Sequence, residues 1–152
     1  MNRLPCFHPS RKRQRGAAAV EFALVAIVFF MLLIGIVEMG RVLFTWNAAA
    51  EATRYGARVA VVCEPDIDNA TILSRMQKIM PSLTTANVTV SYTPDGCSVA
   101  TCQLVSVSTQ NVAVTTLIPI SGTVLAVPPF TTTLPRESML NAIDGYANPV
   151  CT

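Results

Sequence analysis

Charged side chains are scarce in this chain: 13% of 152 residues, where soluble domains ordinarily carry about 25%. Histidine is scarcer still. The single His8 stands near the N-terminus, so neither a Ser/His/Asp relay nor an imidazole-rich metal site can be assembled around the rest of the chain. The seven glycines form no phosphate-cradling loop. Acids are missing from the first sixteen residues, and proline is missing between Pro9 and Pro65. The first absences remove the common enzyme and nucleotide-binding classes, so no catalytic residue, cofactor or metal is expected. The last two shape the N-terminal third of the chain.

What is present is apolar. Hydrophobic residues make up 51% of the sequence, and Phe22 to Val37 run without a charge or a polar side chain. Extended back to Ala17, the run is interrupted only by Glu21. A bilayer core needs roughly 20 apolar residues in a helix, so residues 17–37 are long enough to span. Charge is distributed to match. Arg3, Arg11, Lys12, Arg13 and Arg15 precede the run with no acid among them, whereas the remainder holds six bases and nine acids. A basic cluster before an apolar span retains its own side in the cytoplasm and sends the C-terminal part across. The cluster reads as that topology signal rather than as a nucleic-acid patch, and no nucleic-acid partner is expected.

Cysteine fits export. Cys6 lies in the basic leader, and Cys63, Cys97, Cys102 and Cys151 form an even set beyond the span. A small exported domain commonly uses such a set as disulfides. Three pairings are open. The preferred one closes a turn with Cys97–Cys102 and ties the C-terminus back to the helix with Cys63–Cys151. Zinc is the rival reading, but it lacks a short C-x-x-C pair.

From Ala17 a helical pattern runs to residue 62, and Pro65 breaks it. At 1.5 Å per residue such a helix is roughly 69 Å long, more than twice a bilayer core. Its second part, 38–62, therefore continues outside, with Glu38 facing Arg41 and Glu51 facing Arg54 on the exposed side. Trp46 reads either as a headgroup anchor or as a residue packed on the exported domain. Asp68 or Asn69 caps a second short helix with Ile72, Leu73, Met76, Ile79 and Met80 on one face, ended by Pro81. Then the period falls to two. Val88, Val90 and Tyr92 predict a strand, Pro94-Asp95-Gly96 a turn, and Leu104–Ile118 one long strand or two short ones. Val124–Val127 is a short apolar run, Phe130–Leu134 a last strand, and the tail after Asn141 is turn-rich. The expected class is α+β: a long N-terminal helix, transmembrane in its first half, packed on a small antiparallel sheet in a pilin-like way. The expected division is leader 1–16, span 17–37, helical continuation 38–62 and exported domain 63–152.

Glu21 is the anomaly. A charge inside a bilayer costs roughly 2.5–3.5 kcal/mol on insertion scales, and intramembrane carboxylates are functional candidates by default. Cleavage after Gly16 would give Ala17 a positive α-amino group one helical turn from Glu21, at the positive end of the helix dipole. Gly16-Ala17-Ala18-Ala19-Val20-Glu21-Phe22 before an apolar helix, followed by Gly35-Ile36-Val37-Glu38-Met39-Gly40-Arg41 and Ala52-Thr53-Arg54-Tyr55-Gly56-Ala57-Arg58, resembles the TadE-like minor pseudopilins of the tight-adherence (Flp, type IVc) pilus system. Pro135-Arg136-Glu137-Ser138-Met139 resembles the family's closing motif loosely. The resemblance implies a processing site of Gly16, Ala17, Glu21 and Phe22, with cleavage by prepilin peptidase after Gly16 to leave Ala17 as the N-terminus, recognition through Glu21 and Phe22, and a role of Glu21 in assembly. It implies partners among other pilins, pseudopilins and the pilus assembly platform, at the bacterial inner membrane with the C-terminal domain outside. Two rivals stand beside it: a secreted domain cut near Ala48-Ala49-Ala50, and an uncut signal-anchored envelope binding module. The acids Glu64, Asp66 and Asp68 read as a solvated, capping cluster rather than a calcium loop.

Overall fold

The computed structural model describes residues 15–65, 67, 69–116 and 124–152. Helix α1 is Arg15–Ala60 and α2 is Asn69–Met76. The strands are β1 Val88–Thr93, β2 Leu104–Thr109, β3 Ala113–Thr115, β4 Val124–Ala126, β5 Phe130–Pro135, β6 Ala142–Ile143 and β7 Tyr146–Ala147. The expected basic leader falls outside the described residues up to position 14. The chain divides into two compact units, one ending at Val37 and one running Glu38–Thr152.

In the first unit the apolar side chains have no protein to cover them. Residues 16–37 are all exposed except the half-buried Ala26; Phe22 is 75% and Met31 68% exposed. An apolar helix bare on every side is unstable in water and suited to lipid, because its backbone bonds are satisfied internally. Among the described residues, α1 is the one helix long and apolar enough to cross a membrane.

The second unit is a small α+β domain. The part of α1 from Glu38 onward buries Val42, Ala49, Ala52, Thr53, Gly56, Ala57 and Ala60, a stripe recurring every three or four residues. Most of these side chains are small, so other elements approach the helix closely. Gly56 shows how closely: a Cβ there would stand 2.6 Å from Met76 Sδ on α2. On α2, Ile72, Leu73 and Met76 are buried.

Strands β1, β2 and β5 form an antiparallel sheet with β2 in the centre. Val90 pairs with Val107, and Val107 with Thr132. The alternation sorts the faces: Val105, Val107 and Thr109 of β2 are buried, while Thr89, Ser91, Thr131 and Thr133 look outward. Thr53 and Thr109, both buried, join helix and sheet through a 3.1 Å hydroxyl contact, and Thr53 Oγ1 also donates to Ala49 O at 2.7 Å.

Several local expectations change. Helix α2 stops at Met76; residues 77–79 continue as turns, and Met80 N bonds back to Met76 O. Of the two readings of the Leu104–Ile118 run, its described part takes the second, two short strands, and these lie in different sheets because β3 pairs with β4 and not with β1 or β5. Residues 117–123, with Pro119 and Gly122, lie outside the described residues. The tail holds a hairpin, β6–β7, whose turn residues Asp144 and Gly145 both take positive φ, 51° and 82°. Two such residues match the twist of a tight antiparallel turn.

Candidate processing and assembly segment

The segment singled out by its sequence lies at the start of α1. Gly16, Ala17, Glu21 and Phe22 are all helical and all exposed. Arg15 is the first described residue, and the Gly16–Ala17 bond lies two residues into the described part of α1. An ideal Cβ at Gly16 meets no atom within 4 Å, so nothing in the fold itself requires glycine there. Glu21 follows Ala17 by four residues, one turn or about 6 Å along the axis. Among the described residues no ion pair involves Glu21; the two present are Arg41–Glu38 at 3.1 Å and Arg54–Glu51 at 3.6 Å.

These two pairs differ in setting. Glu51 and Arg54 are exposed, as expected, and an exposed pair contributes little. Glu38 is the correction: only 9% of it is exposed, so it is tucked under the domain with Arg41 over it. A carboxylate placed after an apolar run reads as surface until the fold covers it. Trp46 is half-buried and packs against the core cluster, which puts its ring on the domain.

The other constructed region is the C-terminal strap, residues 136–152. It closes the end of α1, where carbonyls lack helical partners. Glu137 N donates to Val61 O at 3.1 Å and Leu140 N to Val62 O at 2.8 Å. Between them Met139 takes φ 45° and buries its side chain completely. Asn141 and Glu64 bond reciprocally: Glu64 N to Asn141 Oδ1 at 3.1 Å, Asn141 N to Glu64 Oε1 at 3.3 Å. Of the three acids weighed as a cation site, Glu64 is thus engaged by the strap, and Asp66 and Asp68 lie outside the described residues. Arg75 of α2 donates to Pro149 O at 2.8 Å and Thr152 O at 2.6 Å. Arg136 donates to Val99 O in the β1–β2 loop.

Two disulfides complete the domain. Cys63 joins Cys151 with Cα atoms 5.5 Å apart, and Cys97 joins Cys102 at 4.9 Å. The first ties the strap to the end of α1. The second braces the loop that carries Val99. Sequence reading missed the positioning roles of Gly56, Thr53, Arg75 and Arg136. Each acts on a partner at least twenty residues away, and no local pattern announces such a contact. The loosely matching Pro135-Arg136-Glu137-Ser138-Met139 was the one available signal, and it marks where β5 ends and the strap begins.

A family model described as TadE-like protein matches residues 16–58, which covers the candidate segment, the apolar part of the helix and the small-residue stripe as far as Ala57. Neither the curated proteins nor the solved structures gave a match to the chain.

Proposed function

Starting from the TadE-like character of residues 16–58, we propose that this chain is a minor pseudopilin of a tight-adherence pilus system, cut after Gly16 by prepilin peptidase and assembled through its apolar helix. The observation that carries the reading is Glu21 on an otherwise bare apolar helix, five residues after a glycine that the fold does not need. A carboxylate at that offset is matched once Ala17 becomes an N-terminus, either by its own amine or by that of a neighbouring subunit. The basic cluster before the helix supports an orientation with the leader cytoplasmic and Glu38–Thr152 outside. Two disulfides support an oxidising compartment for that part. Partners on this reading are the peptidase, other pilins and the assembly platform in the inner membrane. The protein is a substrate and a structural component rather than an enzyme.

The test is the Gly16→Leu variant, expressed with a prepilin peptidase of a tight-adherence system. Because no atom lies near that position, the variant should fold as the parent does. It should accumulate as full-length precursor while the parent yields a chain starting at Ala17. Unchanged processing of the variant would overturn the proposal.

A further inference from the structure

The part of α1 that belongs to the domain has two unlike faces. Glu38, Val42 and Ala49 are buried against the domain, with Trp46 half-buried beside them. On the outer side Met39 is 60% exposed, Leu43 48% and Phe44 74%. The outer face is free of acid over this stretch because Glu38, the nearest carboxylate, is turned under the domain and paired with Arg41. The Arg41 side chain is 42% exposed, a cation at the border of the apolar patch. The next charges are Glu51 and Arg54.

We infer that Met39, Leu43 and Phe44, bordered by Arg41, form a lipid-docking surface on which the domain rests in the headgroup layer of the membrane. The inference rests on the reading of residues 17–37 as the span. Phe44 is seven residues beyond Val37, about 10 Å along a helix. A headgroup layer is roughly 5–8 Å thick on each side of the hydrocarbon, so chain connectivity holds Met39 through Phe44 in or just above it. Water-exposed Phe and Leu at that depth gain by partitioning into the acyl boundary. An arginine beside them extends its guanidinium to lipid phosphate while its methylenes stay against apolar surface. A second copy of the chain would bury the same patch only on assembly, whereas chain connectivity holds it at lipid depth in each unassembled molecule. The membrane boundary would then lie about two turns later than the first charge, Glu38, suggests.

The experiment uses the single tryptophan as a depth probe. The full chain is reconstituted into phosphatidylcholine–phosphatidylglycerol vesicles carrying bromine either near the glycerol end or deep in the acyl chains. In a Trp46→Phe background, Phe44→Trp reports on the patch and Phe30→Trp on the span. The Phe44→Trp probe should emit at blue-shifted wavelength and lose most intensity to shallow bromines, and the Phe30→Trp probe to deep ones. Quenching at position 30 with water-like, acrylamide-quenched emission at 44 overturns the docking surface and leaves the span intact. Absence of quenching at position 30 overturns the span itself. A Phe44→Trp probe shielded from acrylamide but untouched by bromine, with shielding that rises with protein-to-lipid ratio, assigns the patch to a second copy and also overturns the inference. Should Trp46→Phe disturb folding, Phe44→Trp alone, read as a difference from the parent, gives the same answer.

Discussion

Thr53, Thr109 and Gly56 decide how closely α1 meets the rest of its domain. The two threonine hydroxyls are buried and satisfy each other at 3.1 Å. Thr53→Val would leave the Thr109 hydroxyl against a methyl group, and a buried polar atom without its partner costs about 1–3 kcal/mol. Urea unfolding of the detergent-solubilised chain should show that loss. The double variant Thr53→Val with Thr109→Val should recover much of it, because no hydroxyl is then stranded. Gly56→Val tests close approach instead. Its Cβ would stand 2.6 Å from Met76 Sδ and 2.9 Å from Met76 Cγ, and Met76 is fully buried, so the added methyls force it to repack inside the core. Overpacking of this kind costs about 1–3 kcal/mol and outweighs the gain in helix propensity from removing glycine. Combining it with Met76→Ala should be less destabilising than the two single effects added, since one change opens the space the other fills.

Elements are held by cross-links of very different reach. Cys63–Cys151 closes a sequence separation of 88 residues and Cys97–Cys102 one of five. On the chain-entropy account the long loop contributes about 4.5 kcal/mol and the short one about 2 kcal/mol. Replacing Cys63 and Cys151 together by serine should therefore lower the unfolding midpoint more than replacing Cys97 and Cys102. The strap should also become the first point of proteolysis, read by peptide mapping after limited digestion. Arg75→Ala should have a milder effect of the same kind, since it removes two donors to the strap's carbonyls while the disulfide remains. The hairpin β6–β7 and the α1 cap formed by residues 137–140 belong to that same strap, so they should loosen together.

For the whole molecule the governing fact is the contrast between a helix bare of protein up to Val37 and a domain stapled by two disulfides after it. A chain retained in a reducing cytosol should lack both cross-links. Its Cys63, Cys97, Cys102 and Cys151 should all react with a thiol-alkylating reagent added in denaturant without reductant, whereas the exported chain should leave these four unlabelled; intact mass distinguishes the two. The small domain has under a hundred residues beyond α1, and domains of that size commonly need such staples.

Much of this was legible in the residues themselves. A breaker-free apolar run with a basic cluster before it dictates a long bare helix. Alternating Val and Thr dictates strands with one buried face, and apolar residues at helical spacing dictate the buried side of α2. These follow from local periodicity and composition, which act on neighbouring residues and survive without any tertiary context. Tertiary structure alone turned Glu38 under the domain, put Trp46 on protein, split Leu104–Thr109 and Ala113–Thr115 between two sheets, and set the strap over the end of α1. Each of those depends on a partner far away in sequence. Whether a charge is covered or a carbonyl capped is fixed by which distant segment arrives there, and period and propensity carry no record of that.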